Sequence, residues 1–296
     1  MLQKLIVVGD GSSRVTLDLT FTNILDKAVR WSIWDVVQLR AENRAADSRL
    51  SPDPNCFVTT PLNPNSRFPR GFNVMFGEEA NRQWQIDAER GLFKGQYLWE
   101  IGKVGIDTTA GWIAFSQGSA GYAFAERFAY EESGEYPDDG VTVECWTVGA
   151  GQVANLDYGA TEIYLMETEV LSPLYTIAPT ASKTFSIEWG VCRCPGPIVD
   201  VSDAGCVAEP LKAEFDGEYG RLTGKFGVFD RGELFMVWRN RQGESIRSNS
   251  MGTVDPLTAV LLDSVTRVPA GAAAVECQVM PAAGSKQTLL AAATLE

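Results

Sequence analysis

Hydrophobic and polar residues alternate with a period of two along much of this chain. The clearest case runs from Val15 to Thr22, where apolar residues occupy the odd positions and Asp18 and three threonines occupy the even ones. A β-strand directs successive side chains to opposite faces, so this pattern predicts a half-buried strand. The short apolar run Leu5–Val8 is joined to it through the turn residues 9–12, which predicts a hairpin.

Similar patterns, separated by turn residues, predict strands over most of the chain. The predicted strands are Val29–Leu39, Gly111–Ser116, Tyr122–Phe128, Val141–Val148, Glu162–Glu169, Lys183–Val191, Gly224–Phe229, Glu233–Arg239, Val254–Asp263, Ala273–Met280 and Gln287–Leu295. Prolines break the stretch between Leu39 and Phe72 and predict a long loop, and Glu78–Gln85 is the stretch that favours a helix. The sequence therefore predicts an all-β protein.

The chain length and a change in the pattern of strands and turns predict two regions. At about 150 residues per domain, 296 residues suggest roughly two domains. After Cys206 the strands become shorter and the turns tighter, and the remainder of the chain has about the size of an immunoglobulin-like sandwich. We expect a β-sandwich over residues 1–200 and a second β-region over residues 201–296.

Composition excludes several classes of function. The chain has no histidine, which excludes Ser-His-Asp and Cys-His catalysis and imidazole metal sites. Its net charge of −13 repels phosphate backbones and anionic lipid, so nucleic acid is not an expected partner. No apolar run approaches the roughly 18 residues of a membrane span. Localisation is not encoded clearly, and we favour the periplasm or the exterior over the cytoplasm.

Two short motifs give no cofactor site. Gly9-x-Gly11 is followed by Arg14 and by a strand pattern, which does not fit a dinucleotide-binding turn. Cys192, Cys194 and Cys206 are too few for a structural zinc site without histidine, and both a disulfide to Cys206 and buried thiols fit them. No cofactor is expected, and Ca²⁺ is the metal that suits the abundant carboxylates if one binds.

Aromatic and ionisable residues recur together between Trp99 and Glu169. Sugar sites combine an aromatic face for the C–H side of the ring with polar groups for its hydroxyls. The alternative is that the aromatics fill the core while the charges coat the surface. The candidate ligand-binding residues are Trp99, Glu100, Asp107, Trp112, Tyr122, Glu144, Glu162, Tyr164 and Glu169, and the candidate catalytic residues are Lys103, Arg127, Tyr136 and Glu167.

The predicted strand Glu162–Glu169 concentrates carboxylates, since Glu167 and Glu169 also lie on it. Like charges on one sheet face require water, a cation or a ligand between them. If that face is buried, one carboxyl has a raised pKa and can act as a general acid or base.

Several segments, taken in order, resemble the bacterial galactose-mutarotase-like proteins. They are Trp31-Ser-Ile-Trp34-Asp-Val, Lys103-Val-Gly-Ile-Asp107, Ala110-Gly-Trp112, Glu126-Arg-Phe128, Tyr136-Pro-Asp-Asp-Gly140, Glu167-Thr-Glu169 and Ser172-Pro-Leu174. The resemblance covers about Val7 to Arg193 and implies a β-supersandwich, two large antiparallel sheets with a carbohydrate cleft on the concave side. Mutarotases use a histidine acid, which this chain lacks, and strands that begin the relatives' first sheet have no counterpart here.

Three functions are compatible with these observations. The leading hypothesis is a carbohydrate-binding protein that holds an oligo- or polysaccharide by tryptophans and carboxylates, not a histidine-dependent epimerase. The second is a polysaccharide lyase that uses Lys103, Arg127, Tyr122 and Tyr136, or a hydrolase that pairs Glu167 with Glu100 or Glu144. The third is a structural or assembly module, and the oligomeric state is left open.

Overall fold

A computed structural model describes residues 1–46, 49–150, 152–153, 156–157, 163–216, 218–284 and 286–295. Within this part the chain is nearly all β, which confirms the predicted fold class. A single turn labelled α1 spans Pro137–Gly140, and its Asp138 and Asp139 have left-handed backbone angles.

The strands are numbered in chain order. They are β1 (Leu2–Val8), β2 (Val15–Thr22), β3 (Val29–Trp31), β4 (Trp34–Arg40), β5 (Glu42–Arg44), β6 (Leu50–Pro52), β7 (Cys56–Pro61), β8 (Asn73–Phe76), β9 (Trp84–Asp87), β10 (Leu92–Gln96), β11 (Gly102–Ile106), β12 (Trp112–Gln117), β13 (Tyr122–Phe128), β14 (Val143–Thr147), β15 (Gln152–Val153), β16 (Leu156–Asp157), β17 (Leu165–Leu171), β18 (Tyr175–Ile177), β19 (Ser182–Arg193), β20 (Asp200–Val201), β21 (Gly205–Asp216), β22 (Tyr219–Val228), β23 (Gly232–Arg239), β24 (Ser245–Val254), β25 (Val260–Arg267), β26 (Ala274–Pro281) and β27 (Thr288–Thr294).

Four larger sheets contain most of these strands. Their strand orders are β1-β2-β19-β13-β12-β7-β10-β9, β4-β17-β14-β11-β8, β20-β21-β22-β25 and β24-β23-β26-β27. The pairs β3–β18, β5–β6 and β15–β16 form two-stranded sheets. The neighbouring strands of the five-stranded sheet are antiparallel throughout.

The chain divides into two compact units. The first comprises Met1–Val7, Thr16–Ala120 and Glu126–Trp189, and the second comprises Val8–Val15, Gly121–Ala125 and Gly190–Glu296. The expected domains 1–200 and 201–296 remain a prediction.

In the first unit, strand β17 shows how the core and the opposite face are built. Met166, Thr168 and Val170 are fully buried and alternate with residues that point the other way. On the buried side β17 contacts β12 of the eight-stranded sheet. The five-stranded sheet therefore has one face in the core, and its other face, called the outer face below, carries the alternate residues.

In the second unit, two four-stranded sheets share an apolar core. Trp238, Phe226 and Leu222 are completely buried there, together with Val275 and Val279 of β26. Alternation along β22 and β26 supplies these residues, so each sheet presents one apolar face to the other.

The structure differs from the predicted elements in several places, and it contains strands that the sequence did not predict, among them β8, β9, β10, β11 and β21. The stretch between Leu39 and Phe72 contains three strands, of which β7 lies inside the eight-stranded sheet. Residues 78–83 form turns instead of a helix. The predicted strand Val29–Leu39 is interrupted at Ser32 and Ile33, and Val254–Asp263 contains the turn between β24 and β25. No helix in the described part of the chain is long and apolar enough to cross a membrane.

Candidate functional site

The strand register brings together side chains from three strands on the outer face of the five-stranded sheet. Glu169 of β17 lies opposite Glu144 of β14 and Val36 of β4. In the next row, Glu167 lies opposite Trp146 and Gln38. Directly opposite residues of antiparallel strands share a face, so these six side chains form one surface.

Lys103 of β11 holds two of the three carboxylates of this surface together. Its Nζ lies 2.6 Å from Oε2 of Glu144 and 2.9 Å from Oε2 of Glu169. The indole Nε1 of Trp34 donates a 2.7 Å hydrogen bond to the same Glu169 oxygen. Glu144 and Glu169 are only 2% and 1% exposed, so this is an almost fully desolvated cluster with two carboxylates and one ammonium.

Burial and crowding shift the ionisation of the cluster. Desolvation and a hydrogen bond to Glu169 raise the pKa of Glu144 to about 8, against the opposing effect of Lys103. Burial by itself would lower the pKa of Lys103, but its bonds to the two carboxylates outweigh burial and raise it. At neutral pH Glu144 therefore keeps its proton and donates a hydrogen bond to Glu169. The positive charge of Lys103 then nearly balances the negative charge that remains in the cluster.

A glycine lies beside the cluster, where neighbouring side chains leave no room for a Cβ. Gly105 lies opposite Glu144 in the register, and a Cβ built there would come within 2.6 Å of Cγ2 of Val141 and 2.9 Å of Sδ of Met75. The two apolar side chains occupy the space that a larger residue at position 105 would take, in the row of the sheet that holds Glu144.

The accessible part of the outer face is aromatic and polar. Trp34 is 57% exposed although its N–H is hydrogen-bonded, and the ammonium of Lys103 lies 4.9 Å from its ring centre. The rings of Trp146 and Phe76 are 5.7 Å apart. On the strand next to Trp146, Oε1 of Glu167 accepts a 2.8 Å hydrogen bond from Nε2 of Gln38. Desolvation raises the pKa of Glu167 and the nearby charge of Glu169 adds to that effect, whereas the hydrogen bond from Gln38 and the charge of Lys103 oppose it.

A concavity continues from this surface. It has a volume of about 400 Å³ and is lined in part by Gln38, Arg40 and Leu165. Leu165 lies opposite Arg40, two residues along from the Glu167–Gln38 pair, so they belong to the same face. Tyr164 also lines the concavity. The outer face thus offers room for more than one sugar-sized group.

The structure brings Lys103, Glu144, Glu167 and Glu169 of the predicted site residues together. Trp99 and Tyr164 form a separate aromatic pair with ring centres 5.6 Å apart. Trp99 has a left-handed φ of 58°, unusual for a large side chain. Glu162 lies outside the described residues.

Three other predicted site residues are buried in the first unit. Trp112 begins β12 of the eight-stranded sheet and is buried, with 5% of its surface exposed. Asp107 accepts hydrogen bonds from the Ser66 hydroxyl at 2.7 Å and the Arg67 backbone N–H at 3.1 Å. Tyr136 is buried and stacks on Tyr130.

The remaining three predicted site residues are engaged with charged partners. Arg127 donates to Glu188 at 2.9 Å, and Glu100 accepts from Arg82 at 2.8 Å. In the second unit, the Arg193 guanidinium lies 4.7 Å from the ring centre of Tyr122.

Three residues of the outer face were missed as site candidates. Trp34, Gln38 and Trp146 lie on the face, yet the sequence pattern marks them only as strand residues. Trp34 is part of the segment Trp31-Ser-Ile-Trp34 that carries the family resemblance, and this was the one signal that could have found it. For Gln38 and Trp146, only the register shows that they flank Glu167.

A second acidic cluster lies in the core of the first unit and joins Glu126 of the eight-stranded sheet to Asp35 of the five-stranded sheet. Glu126 of β13 is completely buried, and its carboxyl oxygens make no hydrogen bond of ordinary geometry with any described residue. Burial raises its pKa well above the usual range, and Asp35 adds to the effect, whereas the Thr168 hydroxyl opposes it. Burial also raises the pKa of Asp35, against the opposing charge of Lys4. Burial therefore favours the neutral, protonated form of Glu126.

The described residues contain no group of three or more acidic or cysteine side chains arranged to hold a metal ion. All six cysteines, including Cys192, Cys194 and Cys206, are free and buried. Of the two arrangements compatible with the sequence, the structure has the buried thiols.

No protein-family model matches the chain, and no curated protein matches it. Similar solved structures include a TPR-domain containing protein from Parabacteroides distasonis, with a TM-score of 0.40 and 13% identity over 65% of this chain and 30% of that chain. Another is a galactose mutarotase-like protein from Lactobacillus casei, with a TM-score of 0.39 and 12% identity over 64% of this chain and 62% of that one. A β-glucuronidase from Parabacteroides merdae has a TM-score of 0.25 and 10% identity over 87% of this chain and 34% of that one. The chain spans less than two thirds of the length of each of these three proteins, and at such TM-scores their functions do not transfer to it.

Proposed function

We propose that the protein binds oligosaccharides on the outer face of its five-stranded sheet. The observation that carries this proposal is the state of Trp34, an indole that is more than half exposed while its N–H is hydrogen-bonded to the buried Glu169. Such a ring is held in place before a ligand arrives, so binding loses little side-chain entropy. An aromatic face of this kind packs against the C–H side of a sugar ring.

The groups beside Trp34 supply the polar half of a sugar site. Gln38 and Glu167 form a hydrogen-bonded pair that retains acceptors and a donor for hydroxyl groups. Trp146 and Phe76 offer a second aromatic surface on the other side of Glu167. The adjoining concavity of about 400 Å³ supports an oligosaccharide as the ligand in preference to a single sugar.

Binding is favoured over hydrolysis by the position of Glu144. A glycosidase needs two carboxyl groups that reach the substrate from either side of the bond. Glu144 is 2% exposed, and its carboxyl is engaged by Lys103 and Glu169, while Glu167 is accessible. Of Glu144, Glu167 and Glu169, only Glu167 is therefore placed to contact the ligand, which suits recognition.

The test is a calorimetric titration with neutral, acidic and amino oligosaccharides, run on the unmodified protein, Trp34→Ala and Trp31→Ala. Trp31 is the matched control because it is also exposed, at 61%, and lies on β3. We expect at least one oligosaccharide to bind and Trp34→Ala to weaken it by roughly tenfold or more, with Trp31→Ala unaffected. Absence of binding across the panel, or equal loss in both variants at unchanged stability, would overturn the proposal.

A further inference from the structure

Among the described residues, Glu167 of the outer face forms no ion pair. Lys103 contacts Glu144 and Glu169 instead, at 2.6 and 2.9 Å, and its charge acts on Glu167 only from a distance. The guanidinium groups of Arg40 and Arg44, which line the adjoining concavity, lie 3.6 and 3.5 Å from Glu42.

One carboxylate oxygen of Glu167, Oε2, has no hydrogen-bond partner among the described residues. Oε1 accepts the hydrogen bond from Gln38, a neutral donor that orients the carboxylate without cancelling its charge. Glu167 is half-buried, so its charge is poorly screened by water. A charged donor placed here would form a charge-assisted hydrogen bond, which is roughly twice as strong as a neutral one.

Aromatic rings stand beside this carboxylate. Trp146 lies directly opposite Glu167 on the neighbouring strand, and its ring packs against Phe76. Aromatic faces attract cations through the negative charge of their π-systems. A carboxylate next to an indole, with one oxygen that no described residue hydrogen-bonds, is the combination that suits an ammonium group.

We propose that the sugar bound on the outer face carries a free amino group, and that its ammonium bonds Glu167 beside Trp146. This inference rests on the proposed function, and it narrows the ligand to oligosaccharides of hexosamines that are not acetylated. A neutral oligosaccharide presents only hydroxyls to Glu167. An N-acetyl group removes the positive charge and adds bulk at the same position.

The experiment compares three tetrasaccharides that share a β-1,4 backbone: tetramers of glucosamine, of N-acetylglucosamine and of glucose. Calorimetry at pH 6, where the amine is protonated, measures their affinities for the unmodified protein, Glu167→Gln and Glu89→Gln. Glu89 is the matched control since its carboxylate is 84% exposed and lies outside the face. It reports any general attraction of a polycation to a protein of net charge −13.

We expect the glucosamine tetramer to bind about tenfold or more tightly than the other two, with this preference lost in Glu167→Gln and kept in Glu89→Gln. Equal affinities for the three tetramers, with all binding lost in Trp34→Ala, would overturn the amino-sugar inference and leave the proposed function standing. A preference that survives in Glu167→Gln would also overturn it. If neither the tetramers nor the oligosaccharides of the wider panel bind, the proposed function itself is wrong.

Discussion

Glu144 and Glu169 lie directly opposite each other on adjacent antiparallel strands, and the Lys103 ammonium contacts both carboxylates. Two buried acids sharing one cation cannot both ionise without leaving an uncompensated charge. The arrangement is stable because Glu144 keeps its proton and uses it to donate a hydrogen bond to Glu169. Trp34 then adds a donor to Glu169 and is fixed by it.

Removing the ammonium should destabilise the protein strongly. Lys103→Met leaves two buried acids without their cation, and we expect the free energy of unfolding to fall by about 3 kcal/mol or more. Urea denaturation at pH 7 measures it. The exposed Lys27→Met should change stability by no more than about 0.5 kcal/mol, and the double variant Lys103→Met with Glu144→Gln should recover part of the loss. A Lys103→Met protein as stable as the Lys27→Met control would contradict the role assigned to the ammonium.

Glu144 should make stability depend on pH. Its pKa is about 8 when folded and close to 4.5 when unfolded, so between these values the folded state holds a proton that the unfolded chain releases. The free energy of unfolding therefore decreases as pH rises through this interval, by up to about 1.4 kcal/mol per pH unit. In Glu144→Gln the amide can replace the protonated carboxyl, and this part of the slope should disappear. Urea denaturation at pH 5, 6, 7 and 8 measures the change of the unfolding free energy with pH. The same change in the unmodified protein and in Glu144→Gln would refute the shifted pKa of Glu144.

Glu126 should be a site where an apolar residue improves stability. Its buried oxygens find no ordinary hydrogen bond among the described residues, and a buried unpaired polar group costs about 1–3 kcal/mol. Glu126→Met is similar in length, and we expect it to raise the free energy of unfolding by about 1 kcal/mol or more at pH 8. Glu144→Met is the contrasting variant, because it removes a partner of Lys103 and should destabilise. If Glu126→Met also lowers the denaturation midpoint, the carboxyl has a stabilising partner after all.

Gly105 should tolerate no side chain. A Cβ at this position would meet Val141 and Met75 at under 3 Å, and overpacking of this kind typically costs about 1–3 kcal/mol. Gly105→Ala should therefore lower the thermal midpoint, while Gly91→Ala, with open space around its Cβ but a positive φ of 65°, should lose about 1 kcal/mol through backbone strain alone. An unchanged thermal midpoint in Gly105→Ala would show that Val141 and Met75 move aside freely.

The thiols should be unreactive in the folded protein. All six cysteines are buried, and burial raises the pKa of Cys277 to about 12 and that of Cys56 and Cys194 further above the usual range. Since the thiolate is the reactive form, a thiol reagent at pH 8 should label the native protein slowly and all six positions after denaturation. Fewer than six reactive thiols in denatured, unreduced protein would indicate a disulfide.

Some of the fold could be predicted because burial on one face leaves a visible alternation. Strand Val15–Thr22 was predicted with its observed bounds for this reason. Strand β7 was missed because Val58, Thr59 and Thr60 are buried on both sides, which removes the alternation, and prolines flank it. Strand β24 was missed because it is mostly exposed and polar and has no apolar face to detect.

The candidate site could be predicted only by its residue types. The sequence identified Lys103, Glu144, Glu167 and Glu169 as candidates, yet these residues come from three strands separated by long stretches of chain. Their meeting depends on the strand order β17-β14-β11, which no local pattern encodes. The same limit explains why Trp112 and Tyr136 were grouped with them although both are buried elsewhere.

Strand β17 places the core and the candidate site on the two sides of a single backbone. A shift of one residue in its pairing would turn Glu167 and Glu169 inward and expose Met166, Thr168 and Val170. An insertion or deletion inside Leu165–Leu171 would thus damage folding and recognition together. Substitutions on one side can alter the ligand while the other side is unchanged, so this sheet can diversify by point changes but not by changes of length.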